Sequence, residues 1–306
     1  MEFNGRIYLS SLCILCSSCA DLALFEKEEK LVSAFENNVK PKISQNFDTL
    51  TFLTINIQLG FPKEISPWNE SNTGGTVENL DNLVKAIKSV DPDVVGLQEV
   101  ARDRTNAQIK SQIQYIAKMI GMNYAYGDDS ENGTNHPFSN GFWGNAILTK
   151  YEITGIENPE IYYYNRYISR HCLLATIKLN NQHSLSVLNT HLIADSSPNE
   201  FLIQIKKVSE VANNEISPTV ILGDFNLTPG RNDLSAIREN FYFIIDSIAN
   251  KNTDRVKAVG TANGLIIDYI FLKKDRLKAI DTGLVPEEFW RVSDHIGLFG
   301  KVVVLK

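Results

Sequence analysis

The chain has 306 residues, 43% apolar and 22% charged, an ordinary globular composition with ample material for a large buried core. Its formal net charge of -6 provides no broad basic surface. That disfavours a protein gripping nucleic acid mainly by counterion release, although a few arginines and bound cations in a cleft can still serve a polyanion.

At the N-terminus, Arg6 precedes the apolar stretch IYLSSLCILCSSCA, too short to span a bilayer but suited to a secretory h-region. Residues 1–20 are therefore expected to direct export. Ser18 and Ala20 suit cleavage after Ala20, whereas Leu15 to Cys19 resembles a lipoprotein box in which Cys19 would be lipidated and attach the protein to a membrane. Cys16 departs from that box, where an aliphatic residue is preferred. The expected location is secreted, periplasmic or lipid-anchored at the cell surface. Once the segment is removed Cys172 stands alone, so no disulfide framework holds the fold. Residues 21–48, with EKEEK, read as a tether or surface helix, and the domain is expected over 49–306.

TLTFLTINI alternates apolar and polar residues as a half-buried strand does, and it ends at Asn56 before a Pro-, Gly- and Ser-rich loop. Leu80, Leu83, Val84 and Ile87 recur at helical spacing until the Asp91–Asp93 turn. The apolar run VVGLQ then delivers Glu99. A second amphipathic helix carries Ile109, Ile113, Ile116 and Ile120. Strands WGNAILT, CLLATIKL and SLSVLNTHL follow, then a helix near Phe201–Asn213, then PTVILGDF, GLIIDYIFL and GLFGKVVVL. Near-continuous apolar strands interleaved with amphipathic helices predict a layered α/β sandwich, sheets inside and helices outside.

Repeatedly, an apolar strand is expected to end in a polar, metal-competent residue: Asn56 after FLTI, Glu99 after VVGLQ, His191 after VLNT, Asp224 after VILG, Asp268 within LIID, and Asp294 with His295 before IGLF. One such case is unremarkable, since a strand-end carboxylate is usually solvated and a lone histidine structural. The set implies convergence on one site, because rigid strands hold ligands to the tolerance catalysis needs.

Taken together and in this order, TINI, LQEV, GNAILTK, NTHL, ILGDFNLTP, IDYIF and SDHIGL resemble the endonuclease/exonuclease/phosphatase superfamily over nearly all of residues 50–306. The resemblance implies a four-layered α/β/β/α sandwich of two mixed sheets flanked by helices, and hydrolysis of a phosphodiester or phosphomonoester. It implies Mg²⁺, or Mn²⁺ or another divalent cation, held by Glu99, with Asp294, Asn56, Asp224 and Asn226 completing the metal and water network. Asp224 and Asn226 would position the attacking water; two apart on an extended strand end, they would point the same way, whereas GDFN taken alone also reads as a turn in which Asp and Asn satisfy backbone groups. His295 would act on the phosphate, with Asp268 fixing its tautomer. His191 would assist the leaving group, and Arg170 and Asn145 match substrate-side positions, Asn145 as scaffold or contact. The tyrosines of YYYNRY and Trp290 are candidates for an aromatic lip. Two residues after Asn56, where abasic-site endonucleases carry an acidic metal ligand, this chain has Gln58, which makes that branch less fitting.

Expected partners are a phosphoester substrate, whether nucleic acid, phospholipid headgroup or inositol phosphate, and a monomer satisfies the site. A phosphodiesterase of unsettled substrate ranks first, ahead of a non-specific nuclease and a sphingomyelinase-like phospholipase. The reading from a different class is a non-catalytic surface scaffold.

Overall fold

The structure is a computed structural model and describes residues 34–43, 49–67, 75–102, 108–129, 142–165, 168–194 and 197–305. The expected export segment, with Cys13, Cys16 and Cys19, lies outside them, as do Trp68, His136 and Arg166. In chain order the strands are β1 (Ala34–Glu36), β2 (Thr49–Asn56), β3 (Val94–Arg102), β4 (Asn123–Asp128), β5 (Phe142–Thr149), β6 (Glu152–Glu157) and β7 (Glu160–Asn165). They continue with β8 (Ile168–Lys178), β9 (Ser184–His191), β10 (Thr219–Asp224), β11 (Phe241–Phe243), β12 (Asp268–Lys273), β13 (Leu277–Leu284) and β14 (Leu298–Val304). The principal helices are α1 (Val77–Val90), α2 (Gln112–Ile120), α3 (Pro198–Asn214) and α4 (Lys251–Val259).

The strand patterning shows how the layers form. In β2, Leu50 and Phe52 enter one apolar cluster while Leu53 and Ile55 enter another, so both faces of this strand are covered. One cluster joins Leu53, Ile55, Val95 and Leu97 to Leu80, Leu83 and Ile87 of α1 and to Ile113 and Ile116 of α2. The other joins Phe52, Val94 and Ile147 to Val187, Leu222 and Ile270 of the second sheet, and onward to Phe201, Ile205 and Val208 of α3. Two mixed sheets, ordered β1-β4-β5-β3-β2-β14-β13 and β11-β12-β10-β9-β8-β6, thus lie between helices. Each fully buried Leu, Ile or Phe contributes about 1.5–3 kcal/mol to holding them there.

The helices begin where capping side chains allow. Thr76 accepts the Asn79 N–H ahead of α1, and Ser197 with Glu200 forms a reciprocal capping box ahead of α3, with Pro198 in its first turn. Ser111 caps α2, so Ile109 packs against the apolar cluster from outside the helix that sequence periodicity assigned to it.

The described part of the expected tether belongs to the folded unit. β1 pairs with β4 at the edge of the first sheet, and Asn37 exchanges two hydrogen bonds with the Ile153 backbone, at 2.9 and 3.0 Å. Val39 N–H donates to Asn123 Oδ1 at 3.0 Å, and the compact unit spans Ser33–Lys306. Few large apolar residues mark this stretch, because an edge strand of three residues needs backbone pairing more than burial.

Candidate active site

Parallel pairing decides where the functional side chains gather. β2 runs parallel to β3, and β9 parallel to β10, so Asn56, Glu99, His191 and Asp224 all lie toward C-terminal strand ends. β12 and β14 run antiparallel to these pairs and enter from the same end. Asp268 is therefore the first residue of β12, at the N-terminal and not the C-terminal end of its strand, and sits opposite Asp224 in register. Asp294 and His295 precede β14, whose first residue, Leu298, stands beside Thr54.

Local backbone devices aim the side chains. In β3 the pairing register with β5 shifts between Leu97 and Val100, and Glu99 within that bulge has φ 55°, an uncommon conformation that re-aims its carboxylate. Asn226 has φ 52°, and its N–H donates to Asp224 Oδ1 at 2.9 Å while its side-chain Nδ2 donates to Leu192 O at 2.9 Å. GDFN is thus a side-chain-stabilised turn, not an extended end with Asp224 and Asn226 in parallel. Ser293 Oγ donates to Asn56 O at 2.7 Å and accepts the His295 N–H at 3.2 Å. Gln58 is likewise structural: its Oε1 accepts the Asp294 N–H at 3.1 Å.

Asp224 is the hub. Its Oδ2 lies 3.1 Å from Asn56 Nδ2, 3.5 Å from His191 Nε2 and 3.6 Å from His295 Nε2. Asn56 Nδ2 also donates to Glu99 Oε1 at 3.2 Å, tying two carboxylates through one amide. Across the site His295 Nδ1 donates to Asp268 Oδ2 at 2.9 Å, and the Asp268 N–H is anchored on Thr261 Oγ1. Glu99, Asn56, Asp224, His191, Asp268 and His295 are therefore brought together, with Asp294 and Asn226 at their margin.

Burial governs the ionisation. It raises the carboxyl of Asp224 to about 7 against the pull of His295, and raises Glu99 above the usual carboxylate range against Asn56 and the cationic groups nearby. Burial would also depress His295, but the carboxylates of Asp268 and Asp224 outweigh it and the ring is raised to about 10. His191 goes the other way: burial, then Arg170 and His295, hold it well below the usual histidine range, so it is neutral.

Asn145 and Arg170 occupy an adjoining wall built on Asp129, a residue that no sequence motif signalled. Asn145 Nδ2 donates to both Asp129 oxygens at 3.1 Å, which favours the scaffold role for Asn145. Arg170 Nη1 lies 3.6 Å from Asp129 Oδ2, and its guanidinium covers the Trp143 ring at 5.2 Å. Beneath the site, Gln98 and Asn189 lock the sheets together: Gln98 Nε2 donates to Asn189 Oδ1 at 2.6 Å, and Asn189 Nδ2 reaches Leu97 O and Ala146 O. Both residues stood in the recognised LQE and NTHL segments, where the neighbouring Glu99 and His191 drew the functional assignment. Of the expected aromatic lip, Tyr162 Oη donates to Glu200 at 2.7 Å, and the half-buried Trp290 donates from Nε1 to Val285 O.

Residues 53–295 match the sequence model of the Endonuclease/Exonuclease/phosphatase family. No curated protein matches the chain in sequence. Among solved structures, an endonuclease/exonuclease/phosphatase from Beutenbergia cavernae superposes with a TM-score of 0.67 at 18% identity, covering 84% of this chain and 72% of that one. The human Nocturnin catalytic domain with bound sulfate gives 0.64 at 16% identity, covering 90% of this chain and 98% of that one. ANGEL2, a 2',3'-cyclic phosphatase in complex with adenosine-2',3'-vanadate, gives 0.62 at 17% identity, with 89% and 98% covered. At these identities the likeness is one of fold.

Proposed function

Because the chain belongs to the endonuclease/exonuclease/phosphatase family, whose members hydrolyse phosphoester bonds, we propose that it is an exported, divalent-metal-dependent phosphoesterase. The observation that carries this reading is the Asp224 hub, where one buried carboxylate faces Asn56, His191 and His295 within 3.1 to 3.6 Å.

The donor chemistry fits a hard cation. Glu99, Asp224 and Asp294 offer carboxylates, the oxygen donors that Mg²⁺ or Mn²⁺ takes, while Asn56 faces two of them with Nδ2 and keeps its amide oxygen on the Gln58 N–H. Burial of Glu99 and Asp224, each pushed toward its neutral form, is the strain a bound cation would relieve. Asp224, Asp268 and His295 also present donor atoms within 4.8 Å of one another. Glu99 is the better holder, because His295 Nδ1 and Asp268 Oδ2 already engage each other. When bound, the cation supplies positive charge against the phosphate oxygens.

The chain's own residues then divide the work. Asp224, held by Asn56 and by the Asn226 N–H and titrating near 7, is suited to take the proton of an attacking water. His295, cationic and fixed by Asp268, faces the charge that develops on phosphorus-bound oxygen. His191, held neutral by burial and with Nε2 directed at Asp224, serves as a hydrogen-bonding group beside the phosphate and the leaving oxygen and not as a proton source. Water attacks phosphorus directly, and no covalent enzyme intermediate is needed.

The test is turnover by the purified domain with Mg²⁺ or Mn²⁺ against plasmid DNA, RNA, a 2',3'-cyclic nucleotide, sphingomyelin, inositol phosphates and a chromogenic phosphodiester. EDTA-sensitive activity absent from Glu99→Ala and His295→Ala supports the reading and its best substrate names the branch. Metal binding with no turnover across the panel supports the non-catalytic scaffold instead. No described helix is long and apolar enough to cross a membrane; export and attachment through Cys19 are tested by cell fractionation and by lipid labelling of a Cys19→Ser variant.

A further inference from the structure

We infer that Asp129 is a positioning residue: it sets where the Arg170 guanidinium points, and so fixes the phosphate-facing wall of the site. The inference rests on the phosphoesterase assignment above and deepens it.

Asp129 is 3% exposed and held from every side. Its N–H donates to Trp143 O at 2.9 Å, and its carbonyl accepts from Ser169 N at 3.2 Å and Ser169 Oγ at 2.9 Å. Its carboxylate accepts the Asn145 amide on both oxygens at 3.1 Å and the His171 N–H at 3.1 Å. Trp143 and Asn145 belong to β5 of one sheet, and Ser169 and His171 to β8 of the other. The carboxylate is therefore pinned relative to both sheets at once, which a residue held by one strand would not be.

Arg170 is the opposite case. It is 6% exposed, yet among the described residues its guanidinium makes no hydrogen bond and its buried Nε has no partner. At 3.6 Å the contact from Nη1 to Asp129 is an ion pair too long for a hydrogen bond. Charge from Asp129 on one side and the Trp143 ring at 5.2 Å on the other thus hold the guanidinium in place while leaving its donors unspent. Unfilled buried donors are costly until an acceptor arrives, and a phosphate oxygen matches the planar fork of a guanidinium. The group borders the site directly: its charge acts on both Glu99 and His191, and Trp143 lies 6.4 Å from the His191 ring. Asp129 touches no reacting atom in this arrangement. It acts through Arg170.

The experiment is a double-mutant cycle read by calorimetric binding of inorganic phosphate in the presence of Mg²⁺, using the whole protein. Asp129→Asn keeps the size of the side chain and removes its charge. About tenfold weaker phosphate binding is expected for Asp129→Asn and at least as much for Arg170→Ala, with the double variant within about twofold of Arg170→Ala alone. Losses that simply multiply would show that Asp129 acts independently of Arg170 and would overturn the inference, as would unchanged binding in Asp129→Asn or no phosphate binding by the wild-type protein. Should Asp129→Asn fail to fold, Asn145→Ser, which removes the amide clamping both carboxylate oxygens, carries the same cycle. Wild-type phosphate binding without turnover on any substrate would sink the proposed activity and leave this cycle intact.

Discussion

His295 and Asp268, 27 residues apart in the chain, meet at 2.9 Å through Nδ1 and Oδ2. That contact decides the state of the ring. A buried imidazole on its own would be neutral, but two carboxylates, Asp268 bonded to Nδ1 and Asp224 at 3.6 Å from Nε2, keep it protonated.

Asp268→Asn removes the charge while preserving the shape. The His295 pKa should then fall from about 10 toward the ordinary histidine range, because the protonated form loses its strongest partner. Turnover should fall by about 10² to 10⁴. NMR titration of the ring, with a pH–rate profile beside it, checks both; a ring that titrates as in the wild type would refute the assignment of Asp268.

Glu99→Gln should separate metal binding from fold. The carboxylate shares the amide of Asn56 with Asp224 and sits in a bulge with positive φ that glutamine inherits unchanged. Mn²⁺ affinity measured by calorimetry is expected to fall at least about tenfold, while the metal-free melting temperature holds or rises, since a buried carboxylate has been neutralised. Undiminished Mn²⁺ affinity would move the cation to another set of ligands.

Much of this site was legible because its residues adjoin strands whose apolar patterns are strong. TINI, LQE, NTHL, GDFN, IDYIF and SDH each set a polar residue in or beside a strong strand pattern, and the structure brings Asn56, Glu99, His191, Asp224, Asp268 and His295 together. What escaped depends on pairing rather than pattern. Nothing in YAYGDD distinguishes Asp129 from a solvated acid, since its burial comes from β5 and β8, distant in sequence. The bulge at Glu99 was invisible for the same reason, a local conformation imposed by neighbours, whereas the turn at Asn226 was one of the two readings GDFN allowed and only the bonds to Asp224 and Leu192 decide for it. β1 was missed because three half-buried or exposed residues carry no periodic signal.

The Gln98–Asn189 lock predicts a stability defect with a functional echo. Asn189→Ala leaves the Gln98 amide with Thr54 Oγ1 alone and takes the Asn189 donor away from the buried carbonyls of Leu97 and Ala146. A loss of about 2–4 kcal/mol is expected in urea denaturation. Turnover should drop as well, because Leu97 lies at the edge of the bulge that aims Glu99. A variant as stable as the wild type would mean that water replaces the lost bonds.

Stability of the metal-free protein should fall as pH rises from about 8 to about 10, and the sign follows from proton counting. His295 carries a folded pKa of about 10 against an ordinary value of 6.5, so between those values the folded state binds more protons than the unfolded chain. Its contribution is full below about 6.5 and is lost as pH climbs through about 10. Asp224 and Asp129, both near 7, have largely finished titrating at the start of this window. Burial also raises the Cys172 thiol, which acts in the same direction, so a control is needed to isolate the ring. Thermal melts in EDTA of the wild type and His295→Gln supply it: the wild-type melting temperature should decline more steeply across the window. Parallel declines in the two proteins would show that His295 does not hold its proton in the folded state.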